Sequence, residues 1–131
     1  MSETLPQEWA DKADEDYWSA LALVRQRRHP VPGMVCFHCH QCAEKYLKAF
    51  LTHQGIAFPR THDLIALNKL CANANTGFQQ IADWLDNLNT YAVEVRYPGE
   101  SITLAEARSA IQSMKSIRQF VRARLQSGLL L

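Results

Sequence analysis

Apolar residues in this chain recur every three or four positions, and the runs are separated by proline, glycine or asparagine-rich breaks. Such spacing puts the apolar side chains on one face of an α-helix, so the chain must bury helical stripes against one another. Trp9, Ala13, Tyr17, Ala20, Leu21 and Val24 form the first stripe. Its start is marked by Thr4 as a cap, Pro6 in the first turn and Gln7 as a capping-box partner. Glu8, Asp11, Asp14 and Glu15 fill the early turns and Arg25, Arg27 and Arg28 close it, charges that suit the helix dipole. His29-Pro30-Val31-Pro32-Gly33 then breaks the helix, because the prolines remove donors and restrict their neighbours.

The second helix is expected from about Met34 to Gln54, stopped by Gly55 as a left-handed cap. Val35, Cys39, Cys42, Ala43, Tyr46, Leu47 and Phe50 make its core stripe. His38, Gln41, Lys45, Lys48 and Thr52 share the opposite face, the first candidate surface. Glu44 precedes Lys48 by one turn, a pairing worth only a few tenths of a kcal/mol on an isolated helix. Thr61 is expected to cap a shorter helix carrying Leu64, Leu67, Leu70 and Cys71, ended by Asn73-Ala-Asn75-Thr-Gly77. A fourth helix is predicted from about Phe78 to Val95, with Pro98-Gly99 as its stop. The capping box Thr103-Leu-Ala-Glu106 opens the fifth, which buries Ala107, Ala110, Ile111, Met114, Ile117 and Val121 before Ser127-Gly128. No alternating strand pattern, repeat or low-complexity stretch competes. The expected fold class is all-α, an antiparallel up-and-down bundle of four to five helices, with residues 1–131 forming one domain.

A chain of 131 residues buries about two thirds of its unfolded surface, so neither a metal nor disulfides are required to hold it together. The formal charge of +1 excludes a strongly basic nucleic-acid module. No apolar run reaches the roughly 20 residues a membrane helix needs, and the acidic N-terminus is unlike a secretory signal, so a cytoplasmic protein is expected. Cys36, Cys39 and Cys42 crowd into one short segment and lack the spread of a disulfide framework.

Cys36-Phe-His38-Cys39-His40-Gln-Cys42 has the residue types of a zinc site but not the geometry. On a helix, Cys36 and His40 project on a different side from His38 and Cys42, whereas a tetrahedral site needs convergence. Small core residues are the expected role of Cys39 and Cys42, and no metal or other cofactor is expected. A thiol nucleophile is disfavoured because a mid-helix cysteine gains little from the helix dipole. There is no Gly-rich phosphate loop or zincin motif, and Asp83 with Asp86 lacks the context of a metal or glycosidase site.

Phe37-His38-Cys39-His40-Gln41-Cys42-Ala43-Glu44-Lys45-Tyr46-Leu47-Lys48-Ala49, then Gly55, Arg60-Thr61-His62-Asp63-Leu64 and Arg96-Tyr97-Pro98 resemble, in order and spacing, the HEPN family of small helical bundles. Cys42 stands where that family commonly has alanine and His40 where it has glutamine. The resemblance implies a helical bundle, often dimeric, that binds nucleotides or RNA and frequently acts with a minimal nucleotidyltransferase in a toxin-antitoxin-like module. Some branches are metal-independent ribonucleases using an Arg and a His a few residues apart. Here Arg96 is followed by Tyr-Pro-Gly-Glu-Ser-Ile-Thr and no histidine follows His62, so that motif is absent and no catalytic residue is assigned.

The candidate nucleotide-binding residues are Arg96, Tyr97, His38, Gln41, Lys45 and Lys48. Arg96 offers a planar fork that fits phosphate, Tyr97 can stack on a base, and the four residues of the second helix add charge and hydrogen-bonding groups. The plainer account pairs Arg96 with an acid such as Asp63 and leaves His62 and Asp63 to cap a helix. On the last helix, Arg108, Lys115, Arg118, Arg122 and Arg124 stand against few acids after Glu106, an asymmetry that suits RNA or an acidic partner. Near-zero net charge and the lack of a glycine-aromatic signature argue against tight autonomous RNA binding. The expected function is a nucleotide- or RNA-binding component, homodimeric and partnered with a nucleotidyltransferase-type protein. The alternatives are a ribonuclease using Arg96 with a displaced His62 or His38, or a non-catalytic adaptor.

Overall fold

The computed structural model describes residues 4–92 and 97–126. These form five α-helices: α1 (Pro6–Val24), α2 (Pro32–His53), α3 (Leu64–Ala74), α4 (Ala82–Leu88) and α5 (Leu104–Leu125). Single 3-10 segments, Thr76–Ile81 and Asn89–Tyr91, flank α4, and no strand occurs among the described residues. The expected all-α bundle is what the chain forms.

The α2 helix is the axis of the bundle, packed against α1, α3, α4 and α5. Val35, Cys39, Tyr46, Leu47, Ala49 and Leu51 are fully buried along it. Asp16 meets His38 and Lys45 while Trp9 meets Lys48, so α1 runs antiparallel to α2. Gly33 neighbours Ile102 and Tyr46 meets Arg122, so α5 runs parallel to α2.

Local chemistry sets the boundaries. The N-cap of α1 is Leu5, one residue beyond Thr4, and the Glu8 carboxylate accepts its N–H at 2.9 Å. The start of α2 is Pro32 at the first position, where a missing donor costs nothing. Its end follows expectation: Gly55 has φ +70° and the Ile56 N–H returns to the Leu51 carbonyl at 2.9 Å. Asp63, not Thr61, caps α3, its carboxylate accepting from Ile65 N–H at 3.0 Å and Ala66 N–H at 3.3 Å. At α5 the Thr103 and Glu106 side chains each accept the other's backbone N–H, at 3.1 and 3.2 Å.

The fourth predicted helix is the main departure. Its N-terminal part is the 3-10 segment Thr76–Ile81, and its C-terminal part tightens again at Asn89–Tyr91; Val95 lies outside the described residues. Asn75 accepts the Gly77 N–H on its side chain at 2.9 Å, while the Asn68 amide donates to the Phe78 carbonyl at 3.0 Å. That carbonyl is the one an α-helix would offer four residues on. The tighter winding superimposes residues three apart, which turns both Phe78 and Ile81 into the core.

Cys36, Cys39, Cys42 and Cys71 are buried in the core and form no disulfide with one another. Burial pushes the Cys39 and Cys42 thiols well above their ordinary range and the Cys71 thiol to about 12, so they stay protonated at neutral pH. No group of three or more potential metal ligands gathers among the described residues, and no helix there is long and apolar enough to cross a membrane.

Candidate functional site

Three polar clusters, a groove and a cavity lie on the bundle among the described residues. The first cluster lies on the α1–α2 seam. Asp16, nearly buried, uses one oxygen for His38 Nδ1 at 2.8 Å and the other for Lys45 Nζ at 2.6 Å. Gln41 shares this flank, half-buried and one turn from each.

The second cluster is centred on Glu44, only 3% exposed. Its carboxylate accepts from Lys48 Nζ at 2.9 Å and His62 Nδ1 at 2.7 Å. The Lys48 ammonium also rests over the rings of Trp9 and Phe58, at 5.5 and 5.8 Å. Beside it, fully buried His40 donates from Nε2 to the His62 carbonyl at 2.9 Å, which leaves Nδ1 without a hydrogen bond. Burial lowers the His40 pKa, against the opposing pull of Glu44, so the ring is neutral in the fold.

The sign of the resulting pH dependence follows. An unfolded His40 takes up a proton near its ordinary pKa of 6.5 and the folded one does so at lower pH, so stability is complete above that value and declines as pH falls below it. Chemical denaturation of wild type and His40→Gln at pH 7.5 and 5.5 is expected to show a smaller acid loss in the variant. An identical loss in both removes His40 as a contributor.

The third cluster joins α1, α2 and α5. Asp14 accepts from Arg118 Nε at 2.9 Å, from Arg122 at 3.3 Å and from the Tyr46 hydroxyl. Burial works against the Arg118 charge, but its bonds to Asp14 overcome that and hold it firmly protonated. Arg118 also stacks 4.1 Å over Tyr17. Tyr17, Arg118 and Arg122 line, with Lys115, Gln119 and Gln126, an open groove of about 590 Å³. Lys115 is exposed and without a partner among the described residues, and the lining carries three cations, two of them paired to Asp14. Trp18, 61% exposed, packs edge-on against Tyr17 at 5.1 Å.

The same seam ends in a cavity of about 370 Å³ where the C-terminus of α1 meets the N-terminus of α5. Val24, Arg25, Gln26, Arg27, Pro30, Leu104 and Arg108 line it, and no acidic residue does.

Of the residues singled out from the sequence, His38 and Lys45 come together on Asp16, with Gln41 beside them, and Lys48 belongs to the neighbouring Glu44 cluster. Tyr97 lies on the segment leading to α5 and is 71% exposed. Among the described residues no hydrogen bond or ring contact joins it to the α2 group, and Arg96 lies outside them. Sequence reasoning assigned Asp14 and Glu8 alike to the helix dipole and gave Asp16 no partner. The available signal was position: Asp14 and Asp16 flank the apolar stripe of α1, at the edges where a neighbouring helix reaches them.

The structure defines a small all-α bundle with a cationic seam between its first and last helices. The HEPN domain family model matches residues 6–124, and the chain belongs to the HEPN family. Its fold is similar to that of ST0689, an archaeal HEPN homologue, with a TM-score of 0.73 and 24% identity over 93% of this chain and 98% of that one. It is also similar to TT1696 from Thermus thermophilus, with a TM-score of 0.71 and 20% identity over 90% and 96%. No curated protein matches the chain.

Proposed function

We infer that this HEPN chain is a nucleotide- or RNA-binding component, acting as a homodimer with a nucleotidyltransferase-type partner in a toxin-antitoxin-like module, and not a ribonuclease of the Arg/His kind. The observation that carries the binding part is the α1–α5 groove, where Lys115, Arg118 and Arg122 lie beside Tyr17 and, among the described residues, Asp14 is the one carboxylate paired to the two arginines. Asp14 fixes the two guanidinium groups, so little side-chain freedom remains to be lost when a phosphate arrives. Tyr17 and exposed Trp18 add faces on which bases can stack.

The six residues proposed from the sequence divide unequally under this reading. Exposed Tyr97 is suited to meet a base, and Arg96 adjoins it in the chain. His38, Lys45 and Lys48 already hold carboxylates, so a phosphate at α2 would compete with Asp16 and Glu44, and they give secondary support with Gln41.

Titration of a labelled single-stranded RNA into the protein at two salt concentrations tests the reading. Wild type is expected to bind modestly, more weakly at higher salt because counterions return to the strand. Lys115→Glu, at a surface position where folding is not at stake, is expected to weaken binding by about tenfold and to flatten the salt dependence. Absence of binding at low salt, or equal affinity for the variant, overturns it.

A further inference from the structure

Several cations of the bundle have internal partners. Asp14, Asp16 and Glu44 between them engage Arg118, Arg122, His38, Lys45, Lys48 and His62. Arg25, Arg27 and Arg108 do not: none of their guanidinium groups has a hydrogen-bond or ion-pair partner among the described residues, and all three line the cavity at the end of the α1–α5 seam.

Arg25 and Arg27 follow the C-terminus of α1, where a cation complements the helix dipole, so helix stability accounts for them. Arg108 has no such account. It stands in the second turn of α5, near the positive end of the helix, where a cation is electrostatically disfavoured. Its position brings a third guanidinium to a cavity that already has two, without a carboxylate to neutralise any of them. Val24, Pro30 and Leu104 form the cavity's apolar walls.

We propose that this cavity receives a terminal phosphate monoester. A monoester carries a charge of about −1.5 to −2 near pH 7 and presents three free oxygens. A backbone diester offers a single charge and two. Three guanidinium forks, each able to bind two oxygens, match the former. Arg108, Lys115, Arg118 and Arg122 follow one another at intervals of seven, three and four residues, so they share one face of α5 over about 21 Å. A strand whose phosphorylated end fills the cavity would therefore lay its backbone along the groove lined by Tyr17 and Lys115. This inference rests on the nucleotide- or RNA-binding reading of the seam and adds to it a preference for ends.

The test compares short single-stranded RNAs of one sequence carrying a 5′-phosphate, a 3′-phosphate or hydroxyls at both ends, with adenosine monophosphate as a separate probe. One phosphorylated end is expected to bind at least tenfold more tightly than the hydroxyl-ended strand. Arg108→Ala and Arg27→Ala, both at exposed positions, are expected to abolish that difference, bringing the phosphorylated strand down to the affinity of the hydroxyl-ended strand for the same variant. Adenosine monophosphate that competes as well as the phosphorylated strand identifies free nucleotide as the source of the monoester, and weak competition identifies the strand end. Equal binding of all three strands, or a preference that survives both substitutions, overturns the inference and leaves the seam reading intact. Monophosphate binding lost in Arg108→Ala, with no strand bound by wild type, supports the cavity and overturns the strand reading.

Discussion

Glu44→Ala is expected to lower the stability of the bundle by about 3 kcal/mol. The carboxylate is nearly inaccessible, and its removal leaves the Lys48 ammonium, itself buried, without a counter-charge and His62 without its acceptor. Cation–π contact with Trp9 and Phe58 offsets only part of this, since such contacts contribute about 1–2 kcal/mol. In a domain of this length the loss corresponds to a fall in Tm of about 10–15 °C, readable by calorimetry. Replacing both members, Glu44→Leu with Lys48→Met, removes the charges together and is expected to restore most of the loss. A single variant as stable as wild type, or a double variant no better than the single, shows that the pair is not what makes Glu44 matter.

The second large effect is expected at Phe78. Its ring is fully buried, 4.3 Å from that of Phe50 on α2 and 5.0 Å from that of Phe120 on α5, so it joins the axial helix to the last one. Phe78→Ala leaves a void lined by rigid aromatic faces that collapse poorly, and a cost of about 3–5 kcal/mol follows. The denaturant midpoint should move accordingly with little change in the slope. A cost below about 1 kcal/mol would mean that the 3-10 segment repacks freely and that its winding is not fixed by the core.

These two residues mark where the sequence was legible and where it was not. Helical periodicity identified the buried faces, Phe78 included, because apolar spacing survives a change from α to 3-10 winding. The winding itself depends on Asn68, ten residues away, taking the Phe78 carbonyl, and a side chain reaching across a turn leaves no periodic trace. The capping box at Thr103 and Glu106 and the glycine at the end of α2 were readable because both signals are local. Glu44 was visible only as an i,i+4 partner of Lys48. Its burial, and the engagement of His62, arise from the packing of α3 against α2.

The candidate site followed the same division. Helical spacing places His38, Gln41, Lys45 and Lys48 along one side of α2, but the structure divides them between Asp16 of α1 and Glu44 of α2, and spacing alone does not rank a tertiary carboxylate above a ligand. The charge asymmetry of the last helix was legible as composition. The seam it forms with Tyr17, Arg25 and Arg27 depends on the antiparallel packing of α1 against α5, which composition does not encode.

The placement of four buried thiols inside the bundle separates the molecule's redox history from its native behaviour. An oxidant reaches them only through molecules that have opened. Damage therefore accumulates in the unfolded population, where three sulfurs spaced three residues apart can pair wrongly, and it is in refolding yield, rather than in ligand affinity, that an oxidising environment leaves its mark.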